Sequence, residues 1–202
     1  MWALIEDGSI TKLINNPKGM VIGDTQYSRN IFSFRWSNEE REAIGLYEVV
    51  FDNTNKKDEA YYTNTNQSFA FADGAVTASY GSATAKALTD TLFTAQDEVD
   101  GKGTEGEVAS KGLKSQHKEK IKQEASGLLT NYDWYVIRKA DAGTAVPSAI
   151  TTYRAAVRTK SGEMETLINN AANVDALAAL YEYTKQEDGS QTRPLGEFPE
   201  AV

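Results

Sequence analysis

The chain has no cysteine, one histidine (His117), four prolines in 202 residues, and fewer basic than acidic side chains. Without cysteine there is no disulfide scaffold, thiolate zinc site or cysteine nucleophile. A single imidazole cannot furnish a multi-histidine metal site, and a serine triad would have to be built around it. The 21 basic against 29 acidic residues leave a net charge of −8. That balance argues against a sequence-independent nucleic-acid binder, whose affinity rests on a basic footprint. No run approaches the roughly 20 apolar residues of a membrane span, and residues 1–7 lack the basic and apolar regions of a secretory signal. The phosphate-binding, dinucleotide, zinc-protease and hydrolase signatures are all missing. The carboxylate pairs Glu39–Glu40, Asp58–Glu59 and Asp97–Glu98 are chain neighbours, which does not set two carboxylates across a substrate as glycoside hydrolysis requires. No catalytic residue, metal ligand or cofactor is therefore assigned, and no membrane or nucleic-acid partner is expected.

What remains is ordinary globular material: 40% hydrophobic, 10% aromatic and 25% charged residues, enough to bury one large core or two small ones. Residues 2–6 and 9–14 flank Asp7-Gly8, a dipeptide suited to the two positive φ angles of a type I′ hairpin. A second small hairpin is expected over 20–27 around Gly23-Asp24. Ser37-Asn38-Glu39-Glu40 reads as a capping box starting a short helix that ends at Gly45, with a β-rich run at 46–51. Asp73-Gly74 predicts a further hairpin that sets Phe71 opposite Val76 and Phe69 opposite Ala78.

From residue 84 the period changes. Leu88, Leu92, Ala95 and Val99 recur at helical spacing, and residues 97–106, with three glycines and four carboxylates, read as an acidic hinge rather than a calcium loop. Residues 108–132 are expected to form the longest helix, with Leu113, His117, Ile121, Ala125, Leu128 and Tyr132 on one side. Residues 133–138 read as a short strand, and a helix follows Pro147 through residue 171. Asn173 caps a last helix, residues 183–193 form a terminal hairpin, and the tail is extended. The expected class is α+β. A β-rich region of antiparallel hairpins with a short helix (1–96) is joined through the 97–106 hinge to a small helical bundle with a terminal hairpin (107–202).

Charge is unevenly divided. Nine basic and fifteen acidic residues over 1–104 leave −6, ten and six over 105–160 leave +4, and two and eight over 161–202 leave −6. A basic middle between acidic ends invites self-association or an acidic partner. Within that middle, Tyr132, Trp134, Tyr135, Arg138, Tyr153, Arg154 and Arg158 concentrate the residue types enriched at protein interfaces, because rings and planar guanidinium groups bury area at modest entropic cost. Trp134, Arg138, Tyr153, Arg154 and Arg158 are the candidate partner-binding residues.

The run Leu128-Leu129-Thr130-Asn131-Tyr132-Asp133-Trp134, followed by Ile150-Thr151-Thr152-Tyr153-Arg154-Ala155-Ala156-Val157-Arg158, resembles the C-terminal motif of bacteriophage tail assembly and tail-fibre assembly chaperones. Residues 2–47 also look like an N-terminal module carried by phage tail-associated proteins. The resemblance implies a non-enzymatic protein that helps a tail fibre or tail substructure assemble in the host cytoplasm. It either leaves afterwards or stays as a virion component of the tail, baseplate or fibre. The partner implied is a tail-fibre, tail or baseplate protein, and a homotrimer is expected by analogy with fibres.

Overall fold

In the computed structural model, which describes residues 1–202, Asp7 and Gly8 both take positive φ, 49° and 72°. The chain therefore reverses in two residues and lays β1 (Trp2–Glu6) antiparallel on β2 (Ser9–Ile14). Leu4 pairs with Lys12 but Ile5 with Ile10, so Thr11 is an inserted bulge residue whose hydroxyl donates to the Leu4 carbonyl at 3.3 Å. A one-residue insertion exchanges the two faces of a strand. Ile10 accordingly packs with Ala3 and Ile5, while Ile14 packs with Trp2 on the other side.

The hairpin of β3 (Met20–Ile22) and β4 (Thr25–Tyr27) forms as expected. In α1 (Asn38–Glu42), Ser37 Oγ accepts from the Glu40 amide at 3.2 Å and Glu40 Oε2 accepts from the Ser37 amide at 2.8 Å, the reciprocal cap read from the sequence. Then come β5 (Leu46–Asp52), β6 (Tyr62–Thr63), β7 (Ser68–Ala72), β8 (Ala75–Ser79) and β9 (Thr84–Ala85), with β6 and β9 paired to each other. Phe71 lies opposite Val76 and Phe69 opposite Ala78, the register that the Asp73-Gly74 turn dictates. The main sheet runs β2-β1-β5-β8-β7, antiparallel throughout except for the parallel pair β5–β8. One face holds Ala3, Val49, Val76 and Ala78 under Tyr47, Phe69 and Phe71. The other holds Ile14, Ile31 and Leu46 beneath Trp2, Tyr27, Phe32 and Trp36. Arg41 is buried there, donating to the carbonyls of Ile31 (2.8 Å) and Ser33 (2.5 Å) and lying 4.8 Å over the Trp2 ring.

This first unit ends at Thr84 and a second runs from Ala85 to Val202, so the expected boundary around 97–106 is displaced. The expected helical stripe over Leu88, Leu92, Ala95 and Val99 does not form as one element. Its place is taken by β10 (Thr91–Leu92) and α2 (Ala95–Val99), with Leu92 and Val99 exposed. Thr94 starts α2 by its own capping box with Asp97, which fixes where helix begins. Within residues 97–106, the carboxylates of Asp97, Glu98 and Asp100 are engaged locally. Lys102 Nζ sits 3.0 Å from both Asp97 and Asp100, Glu98 accepts from the Glu105 amide, and the backbones of Phe93, Gly106 and Glu107 hydrogen-bond one another.

The helix expected over 108–132 is shorter. Its first residues instead form β11 (Val108–Ser110), paired with β10, and α3 spans Leu113–Thr130. Gly112 precedes it, and any Cβ there would collide with the Thr89 backbone. Having no side chain to cap with, Gly112 is served from a distance: Asp90 accepts from the Gly112 amide at 2.8 Å and from Ser115 Oγ at 2.9 Å. The expected strand at 133–138 is α4 (Asp133–Ala142), ended by Gly143 at φ 67°. The β preference of Tyr135-Val136-Ile137 is overridden by an acidic first turn, a left-handed glycine stop and an i,i+4 Trp134–Arg138 stack that only a helix permits.

α5 (Ser148–Asn170) follows Pro147, and α6 (Val174–Ala179) is capped by Asn173, both as expected. Lys114 reaches the Asn169 carbonyl, Lys122 reaches Glu165 and Arg154 reaches the Leu129 carbonyl, so α3 and α5 run antiparallel. Val157, Met164 and Ile168 are wholly buried with Leu177 and Leu195, each worth roughly 1.5–3 kcal/mol of transfer free energy. The terminal hairpin of β12 (Thr184–Lys185) and β13 (Gln191–Thr192) forms, and the tail lays Phe198 against the cluster of Ala125, Tyr153 and Val157. The protein is of the α+β class, with most strands in the N-terminal half, and no helix is long and apolar enough to cross a membrane.

Candidate protein-binding surface

The five candidate residues lie in the second unit but not on one surface. Tyr153, 4% exposed, is core: its ring meets that of Tyr132 edge-on at 5.1 Å, and burial, with the neighbouring Tyr132, raises its phenol above the ordinary value. Arg154 is 8% exposed, with its guanidinium engaged inside the unit. Its Nη1 donates to the Leu129 carbonyl at 2.8 Å and lies 2.8 Å from Asp133 Oδ1, tying the end of α3 and the start of α4 to α5. The one Nη1 meets a carbonyl and a carboxylate at once, a charge-assisted pairing that suits a buried cation.

Trp134, Arg138 and Arg158 remain accessible in whole or part. Trp134 and Tyr135 have ring centroids 4.1 Å apart, and the Arg138 guanidinium lies 4.5 Å from the Trp134 centroid and 5.4 Å from that of Tyr135. This cation–π stack holds a long side chain in one pose. Arg158 projects from α5 with one hydrogen bond, to the Arg154 carbonyl at 3.3 Å.

What the sequence reading missed is the outward side of α4. No residue of this helix is buried, and Trp134 (51%), Val136 and Ile137 (67%) are exposed. At 100° per residue, Trp134, Ile137, Ala140 and Val136 share one arc with Asp133 and Asp141, so these apolar side chains face away from the unit while Tyr135 and Arg138 are half-buried. The i, i+3, i+6 spacing of Trp134, Ile137 and Ala140 was visible in the sequence, but only to a helical reading of 133–142. Next to α4, a cleft of about 430 Å³ lies between α3 and α5, lined among others by Lys122, Leu129, Asp133, Arg154, Arg158 and Glu165. Asp133 belongs to both features and makes them continuous. Such a surface offers an apolar ledge beside a charged trough, which is chemistry for seating another chain. Compared with protein-family models, curated proteins and solved structures, the chain matches none.

Proposed function

We propose that the protein acts by binding another protein, without catalysis, through α4 and the adjoining α3–α5 cleft, and that it serves the assembly of a bacteriophage tail or tail fibre in the host cytoplasm. The observation that carries the binding role is the orientation of α4, a helix that turns Trp134, Val136 and Ile137 outward and has no fully buried residue. Burying such side chains is favourable by roughly 25 cal/mol per Å², so a ledge of this kind gains when a partner covers it. Its small size suits reversible engagement, since a helix of ten residues is only about 15 Å long. The tail-assembly role rests on the resemblance of residues 128–134 and 150–158 to the chaperone motif.

The test is mass spectrometry of purified phage particles beside a tagged pull-down from infected cells, each with the wild-type chain and Ile137→Ser. Recovery of a fibre or tail protein by the wild type, reduced by Ile137→Ser, supports the proposal. Absence from particles then marks a released chaperone, and fixed copy number in them marks a resident component. Finding the chain with neither particles nor a tail protein sinks the tail reading.

A further inference from the structure

We infer that the segment seated on α4 and the neighbouring cleft is apolar and acidic, a partner strand or helix that carries carboxylates beside its apolar side chains. The inference rests on the protein-binding reading above and adds the chemistry of the partner. Among the charges of this surface, Asp133 is taken by Arg154 at 2.8 Å and Glu165 by Lys122 at 3.2 Å. Arg138, Lys139 and Arg158 form no ion pair, on a chain whose net charge is −8. Arg138 is held flat over Trp134 and Tyr135, and its Nε is shielded from solvent without an acceptor. Arg158 spends one contact on a carbonyl at 3.3 Å and leaves the rest of its fork to the cleft that it lines. Positioned, unpaired guanidinium groups beside an apolar ledge select carboxylates in preference to ammonium groups.

A second copy of the chain is a poorer occupant of the same face. Two α4 helices related by a two-fold axis bring like rims together, setting Arg138 and Lys139 against their own kind.

The experiment uses the full chain and two synthetic helical peptides with identical apolar residues, one flanked by glutamates and the other by lysines. Binding is read by amide chemical shifts and peptide fluorescence polarisation. The glutamate peptide is expected to bind saturably, at least about tenfold tighter than the lysine peptide at low salt. The shifts should centre on residues 133–142 and 154–158. Lys139→Glu with Arg158→Glu should reverse the preference, and Ile137→Ser should weaken both peptides, while melting curves confirm that the variants are folded. Equal or inverted preference, no saturable binding of the glutamate peptide, or shifts elsewhere overturns the inference. So does a dimer in sedimentation that Ile137→Ser dissociates, or a single-stranded oligonucleotide that binds the same residues more tightly than the glutamate peptide. If the pull-down partner is lost with Ile137→Ser while the peptides do not discriminate, the charge inference alone fails; if the pull-down is indifferent to Ile137→Ser, the binding surface itself is wrong.

Discussion

Arg154 and His117 show how burial reassigns residue types that the sequence offers for other work. Arg154 joins three helices by one carbonyl bond and one ion pair. Truncation to alanine leaves the Leu129 carbonyl and Asp133 without their donor. It should cost about 1–3 kcal/mol in urea denaturation, toward the lower end because Asp133 is half exposed. Arg154→Lys should recover part of the loss, since both acceptors are met by one nitrogen and an ammonium keeps the charge and the donors. His117 is buried on α3, its ring 4.9 Å from that of Tyr181, and burial, with the nearby charge of Lys120, lowers its pKa below the ordinary value. The unfolded chain then takes up the proton first as pH falls below about 6.5, so stability present above that pH declines on acidification toward the lowered folded value. Thermal melts between pH 7.5 and 5 should show this decline, and His117→Gln should flatten it.

At the scale of elements, helix starts decide the local architecture. Ser37, Thr94 and Asn173 cap from the adjacent position and were readable by spacing, at least for Ser37 and Asn173. α3 is capped from residue 90, a solution that no local rule detects. Hydrogen bonds from Ser115 and then from the Gly112 amide hold the Asp90 carboxyl below its ordinary pKa. That contribution is present above about pH 3.9 and lost as pH falls through the lowered value. Asp90→Ala should lower the melting temperature by several degrees near neutral pH, and Asp90→Asn by less because one acceptor remains. A differential scan of wild type and variants at pH 7 and at falling pH below about 3.9 checks both the effect and its decline in acid.

For the whole molecule, the boundary between units is the consequential result. Residues 85–96 serve the second unit, because β10 pairs with β11, the Ala87 and Leu88 carbonyls accept from the Leu113 and Lys114 amides, and Asp90 caps α3. A fragment of residues 85–202 should therefore melt cooperatively, whereas one of residues 107–202 should melt at least several degrees lower with weaker amide protection at the start of α3. Circular dichroism and hydrogen exchange on the two fragments distinguish this boundary from one at 97–106. If the shorter fragment is as stable as the longer, the division at 84/85 has no energetic meaning.

Where the determinants are local, the sequence alone was sufficient. Asp7-Gly8, Asp73-Gly74, the Ser37–Glu40 box, Pro147 and Asn173 set turns, register and helix starts through bonds within a few residues, and the α+β division follows from the change of period. Tertiary structure decided whatever depended on distant partners. Thr91–Leu92 became strand by pairing with Val108–Ser110, Gly112 was chosen by the nearness of Thr89, and Arg154 was drawn inward by Leu129 and Asp133. The candidate surface belongs to both. Trp134, Arg138 and Arg158 were legible by residue type, but the outward turn of Val136 and Ile137 appears only once 133–142 is helix and its other side lies against the unit, because burial is a property of neighbours rather than of the chain.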